Sequence, residues 1–182
     1  MREPVRKLAL TLAALAVLAA AVGLSACGYS SDSKEVVEGE PVKLGELQYN
    51  VIFSRYLNPN DTEDAAYLVG QPAPEPDTTY FGVFFEVQND SDEPQTLPGS
   101  LKITDADETV FEAIPSESLY ALPFGGEVEA EEQIPVLDST PQQGPIAGSL
   151  VLFKLPDTAS QSRPLTLHIP GPDGPAEVTL DL

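Results

Sequence analysis

The sequence predicts an all-β protein built from two packed antiparallel sheets. Three observations predict it: apolar residues recur with a period of two, dense turn signals separate the alternating runs, and proline is frequent. Leu47, Tyr49, Val51 and Phe53 alternate with mostly polar neighbours, as do Leu101 and Ile103. The same holds for Leu165-Thr166-Leu167-His168-Ile169 and Val178-Thr179-Leu180-Asp181-Leu182, so each run reads as a strand with one buried face. The run from Tyr80 to Val87 is more apolar and reads as a central strand. Its bulkier face, Phe81, Val83, Phe85 and Val87, is the predicted core face, which leaves Tyr80, Phe84 and Glu86 on the other side.

Between these runs lie Asn89-Asp90-Ser91-Asp92-Glu93-Pro94, Asp105-Ala106-Asp107-Glu108 and Pro170-Gly171-Pro172-Asp173-Gly174-Pro175, which are turn sequences. Seventeen of the 18 prolines follow residue 26, and proline suits loops and sheet edges rather than helix interiors. Helical candidates are short, a turn around Thr62 to Tyr67 or Pro115 to Tyr120. About seven to nine strands are expected in a domain spanning 45–182, enough for a sandwich.

The amino-terminal part has a different grammar. Arg2, Arg6 and Lys7 precede an uncharged run from Leu8 to Leu24, the layout of a secretory signal over 1–26. Leu24, Ser25 and Ala26 then lead into Cys27, and this order resembles the lipobox of bacterial lipoproteins. In that family the thiol receives a diacylglycerol, the chain is cut just before it, and the cysteine becomes the acylated first residue. The alternatives are a simple secretory signal cut elsewhere or an uncleaved spanning helix, for which 17 residues is short. All three place the rest of the chain outside the cytoplasm, and the lipoprotein reading places it on the cell membrane. Two or more acyl chains give a stable anchor where one would hold only marginally. Residues 27–44 are small, polar or charged and are expected to form a flexible tether.

Beyond residue 26 the chain has 28 acids against Lys34, Lys43, Arg55, Lys102, Lys154 and Arg163, a net charge near −22. Such a surface repels nucleic acid, so no nucleic-acid partner is expected. Cys27 is the only cysteine, so the domain has no internal disulfide and relies on packing. His168 is the only histidine and Met1 the only methionine, too few for a copper or zinc site.

A resemblance adds to this reading. Phe81-Gly82-Val83-Phe84-Phe85-Glu86-Val87-Gln88-Asn89-Asp90-Ser91-Asp92-Glu93-Pro94, Leu101-Lys102-Ile103-Thr104-Asp105, Val110-Phe111 and Gly148-Ser149-Leu150-Val151-Leu152-Phe153-Lys154-Leu155-Pro156 carry it. Together they resemble a bacterial lipoprotein domain of unknown function described as telokin-like, itself similar to a small secreted immunogenic protein of mycobacteria. The resemblance implies an immunoglobulin-like antiparallel β-sandwich and brings no activity with it. The chain departs from that pattern in lacking the usual glycine after the aspartate of the middle turn.

No catalytic residue is expected, because His168 lies in an alternating strand and no Gly-x-Ser-x-Gly elbow is present. No cofactor and no metal centre are expected either. The acids of Asn58-Pro59-Asn60-Asp61-Thr62-Glu63-Asp64 and Asp105-Ala106-Asp107-Glu108 leave a weak calcium site as an alternative, though neither has the EF-hand frame. Tyr80 and Phe84 form a candidate partner surface opposite the core face, with Tyr49 or Tyr56 able to join them. The expected function is a non-enzymatic binding module, lipid-anchored through Cys27, for an envelope protein or cell-wall component. A calcium-binding envelope protein and a hydrolase acting through His168 are the alternatives.

Overall fold

The computed structural model describes residues 33–181. The signal segment, Leu24, Ser25, Ala26 and Cys27 lie outside the described residues. The chain forms β1 (Lys34–Val37), β2 (Val42–Leu44), β3 (Leu47–Leu57), α1 (Asp64–Tyr67), β4 (Thr78–Asn89), β5 (Gln95–Thr96) and β6 (Lys102–Thr104). It continues through β7 (Val110–Glu112), β8 (Glu127–Val128), β9 (Gln133–Ile134), β10 (Ser149–Pro156), a 3-10 turn at Asp157–Ser160, β11 (Leu165–Ile169) and β12 (Ala176–Leu180). One sheet runs β1-β12-β11-β6-β7 and the other β10-β4-β3-β2, with β9 added along β4 and a separate β5-β8 ribbon. The pairings are antiparallel except for β1, which runs parallel to β12. The protein is thus an all-β sandwich of twelve strand elements among the described residues, more than expected because several span only two or three residues.

Alternation places the core. Phe81, Val83, Phe85 and Val87 of β4, with Val151 and Phe153 of β10, meet Ile103, Leu167, Ile169 and Val178 of the facing sheet. Each of these side chains is buried, and burying one stabilises the fold by roughly 1.5–3 kcal/mol before entropy is counted. Period two holds strictly in β11 and β12, whose patterns alternate buried with less buried residues throughout.

In β3 it does not hold. The register against β4 shifts between Val51, opposite Phe85, and Phe53, opposite Phe84. This bulge turns Phe53 to the outer face, where it is 42% exposed, and brings Ser54 into the interior. The expectation that Phe53 shares a face with Leu47, Tyr49 and Val51 is corrected accordingly.

The flexible tether expected over 27–44 is corrected in its described part. Lys34–Val37 pairs with β12 and Val42–Leu44 with β3, so both stretches belong to the sandwich. Glu38 fastens the crossing from one sheet to the other: its carboxylate accepts hydrogen bonds from Ser54 N at 3.1 Å, from Ser54 Oγ, and from Asp181 N at 3.3 Å. Gly39 N adds a bond to Val51 O at 2.8 Å, beside the bulge. Polar residues that cannot fold alone are ordered here by a ladder supplied from the far end of the chain.

Candidate functional site

Tyr80 and Phe84 do not form a surface. They are 1% and 0% exposed and belong to a second apolar cluster on the outer face of β4 and β10, with Leu57, Tyr67, Leu68, Leu150 and Leu152. The covering is made by α1, by the chain after it, and by the segment around Tyr120. The Tyr67 ring meets Phe84 edge-on at 5.0 Å and Tyr120 at 4.9 Å, and Tyr80 donates its hydroxyl hydrogen to Pro72 O at 2.8 Å. Tyr49 lies in the main core and Tyr56 packs at its margin, so neither joins Tyr80. The same covering protects an edge strand: Ile114 N donates to Leu152 O and Leu122 N to Leu150 O, both at 2.8 Å, along the outer side of β10.

The acidic loops use their oxygens on themselves. Asp64, 2% exposed, accepts from Asn58 N at 2.7 Å and pairs with Arg55, while Asp61 Oδ1 accepts from Glu63 N at 2.9 Å. Asp105 Oδ1 accepts from Asp107 N at 3.0 Å and Thr109 N at 2.9 Å. Both are turn-stabilising arrangements of a kind aspartate favours. Among the described residues no group of three or more His, Cys, Asp or Glu side chains is placed to hold a metal ion.

His168 lies on the outer face of β11, where its Nε2 and Thr104 Oγ1 share a 2.8 Å hydrogen bond and Glu177 stands 3.9 Å from Nδ1. Burial, reinforced by Lys102 and opposed by Glu177, pushes its pKa below the usual histidine value. A shallow concavity of about 520 Å³ beside it brings Lys102, Glu112 and Glu177 to its rim.

The larger concavity opens at the end of the sandwich where the β2–β3 and β11–β12 hairpins meet. It has a volume of about 600 Å³ and is lined by Pro94, Pro98, Pro170 and Pro172 and by Leu47 and Tyr49. The two hairpin tips fit together through glycines. Gly45 has φ +61°, and a Cβ there would stand 2.8 Å from Pro172 Cγ; a Cβ on Gly171 would stand 2.7 Å from Gly174 O.

The third side is set by Asn89, which is fully buried. Its amide nitrogen donates to Glu93 O at 2.8 Å and to Val128 O and Glu129 O at 3.0 Å, and its Oδ1 accepts from Ser91 N at 3.0 Å and Ser91 Oγ at 2.7 Å. That network fixes the chain leading into Pro94 and β5. The floor is apolar, and burial pushes the Tyr49 pKa up to about 12.

Sequence reasoning named two of the turns that build this cleft, Asn89 to Pro94 and Pro170 to Pro175, but neither the β2–β3 tip nor the cleft itself. The visible signal is proline on both turns, Pro94 and Pro98 on one side and Pro170 and Pro172 on the other. Proline rings present rigid apolar faces, so four of them around one cleft give it a fixed wall.

No protein-family model matches the chain. No curated protein sequence matches it. Among solved structures, an uncharacterized β-sandwich protein from Clostridium difficile 630 is similar over 82% of this chain and 95% of its own, at 13% identity and a TM-score of 0.52. The yjhA protein of Bacillus subtilis is similar over 80% of this chain and 99% of its own, at 14% identity and a TM-score of 0.54. At these identities the likeness is one of fold, which for the Clostridium difficile protein is described as a β-sandwich. The resemblance to the telokin-like lipoprotein domain therefore rests on strand patterns, of which the sandwich is the part the structure bears out.

Proposed function

We propose that the protein is a lipid-anchored, extracytoplasmic binding module of the cell envelope that acts without catalysis. The observation that carries the anchor is Leu24-Ser25-Ala26-Cys27 behind a basic start and an uncharged run. What supports it further is where β1 lies. Only five residues separate Cys27 from Ser33, a reach of about 20 Å when fully extended. β1 enters beside the β11–β12 hairpin, since Lys34 N donates to Pro175 O at 3.0 Å. An acylated Cys27 would keep the domain within that reach of the bilayer.

Binding rather than turnover is favoured by the character of the concavities. The larger one is walled by proline, and neither Tyr49 nor Thr96 in its lining is hydrogen-bonded to a base, while the His168 imidazole is outside its lining and is engaged by Thr104. The acidic surface favours basic partners.

The test is metabolic labelling of the full-length protein with a fatty-acid probe. The native chain should be labelled and processed, and Cys27→Ala should be unlabelled and accumulate as the longer precursor. Equal labelling of the variant would sink the anchored reading.

A further inference from the structure

The proline-walled cleft and its rim together define a ligand chemistry. Its lining combines the four proline rings, Leu47 and Tyr49 with the polar side chains of Gln95 and Thr96, and its volume of about 600 Å³ suits one or two large side chains. One exposed acid lines it and three more adjoin its lining residues in the chain or across the ribbon. Glu46 lines it directly, Glu93 precedes Pro94, Asp173 follows Pro172, and Glu127 stands opposite Thr96 in the β5-β8 ribbon.

Two lysines stand nearby, and one forms an exposed pair with the rim acid Glu46 that an incoming cation would replace. Lys43 is 3.6 Å from Glu46, and the Lys34 ammonium donates to the Lys43 carbonyl. Proline faces beside acidic side chains disfavour acidic ligands and complement a flat ring flanked by positive charge.

We propose that this cleft is a docking site for an extended polypeptide segment in which an aromatic ring is flanked by lysine or arginine. The ring enters between the prolines and rests on Leu47 and Tyr49, and the flanking cations meet Glu46 on one side and Glu93 or Asp173 on the other. Aromatic rings suit such a slot because they bury a large area at small conformational cost. The rim charges add rate and selectivity more than affinity. The proposal deepens the binding-module reading and is independent of whether Cys27 is acylated, which the labelling experiment tests separately.

The protein contains no tryptophan, so a tryptophan peptide reports its own binding without background. The experiment measures fluorescence anisotropy of capped Arg-Trp-Arg and Glu-Trp-Glu peptides titrated with the full-length protein in a non-ionic detergent. Saturable binding of Arg-Trp-Arg is expected, at least tenfold tighter than Glu-Trp-Glu and weakened by added salt.

Two exposed-site variants localise it. Thr96→Arg puts bulk and positive charge into the cleft, and Glu46→Lys reverses the rim; each should weaken Arg-Trp-Arg at least tenfold with an unchanged circular dichroism spectrum. Equal affinity for the two peptides, no binding of either, or binding that survives both variants overturns the proposal.

Discussion

Replacing Asn89 by alanine should cost the domain about 3–4 kcal/mol. The side chain is 0% exposed and makes five contacts of hydrogen-bond length, three as donor and two as acceptor. The amide has two hydrogens, so its three carbonyl partners share them, and the net number of independent bonds is about four. At roughly 1 kcal/mol each this amounts to about 4 kcal/mol. Water can rehydrate part of the network, because only the bond to Val128 O is fully buried. That lowers the figure, and leaving that carbonyl unpaired costs about 1–3 kcal/mol of its own.

The assay is equilibrium unfolding in urea, followed by far-ultraviolet circular dichroism. With a slope of about 1.5 kcal/mol per molar, the midpoint should fall by roughly 2 M and the slope should hold. Asn89→Asp is the sharper control, since it keeps the shape and sets a carboxylate against three carbonyl oxygens. It should be at least as destabilised at neutral pH. A loss under about 1 kcal/mol in both variants would refute the argument that this amide fixes the turn before Pro94.

Two further predictions follow from local conformation and from burial. Glu108 occupies a left-handed turn position with φ 61°, so Glu108→Gly should raise stability by about 0.5–1 kcal/mol, read as a higher melting temperature; a decrease would contradict the strain argument. The Tyr49 phenol ionises near pH 10 in the unfolded chain and at about 12 in the fold, so the stability tied to it is fully present below pH 10 and is lost as pH rises towards 12. That loss is roughly 2–3 kcal/mol, and Tyr49→Phe should remove its share of the alkaline slope in urea titrations between pH 9 and about 12; an unchanged slope would refute the assignment.

Much of the sandwich is legible in the chain because its signals are local. The patterns of β11 and β12 alternate without interruption, and the turn sequences fall between strands. β4 announces itself as central through apolar residues on both faces, and its stronger face is the core face. The short pairings were not legible, because two or three residues carry too little pattern to stand out from a loop.

The misreadings share one cause, which is that they depend on residues far away in sequence. β1 looks like a soluble tether and becomes a strand only because β12, some 140 residues later, offers a ladder, while Ser54 and Asp181 donate to the Glu38 carboxylate. Phe53 follows the alternating pattern of β3, yet one bulged residue at position 52 turns it outward. Tyr80 and Phe84 look like a free face because the chain that covers them, α1 and the segment near Tyr120, has no local sign of where it will pack.

By itself the sequence determined the β class, the central strand and its core face, the turns, the acidic surface and the lipobox-like placement of Cys27. These follow from side-chain periodicity, backbone preference and charge, which act within a few residues. Only the tertiary structure decided that β1 and β2 belong to the sandwich, which aromatic residues are covered, and that four prolines from two distant turns meet over Leu47 and Tyr49. Those outcomes depend on strand register and loop closure, which are set by packing energies summed over the whole domain.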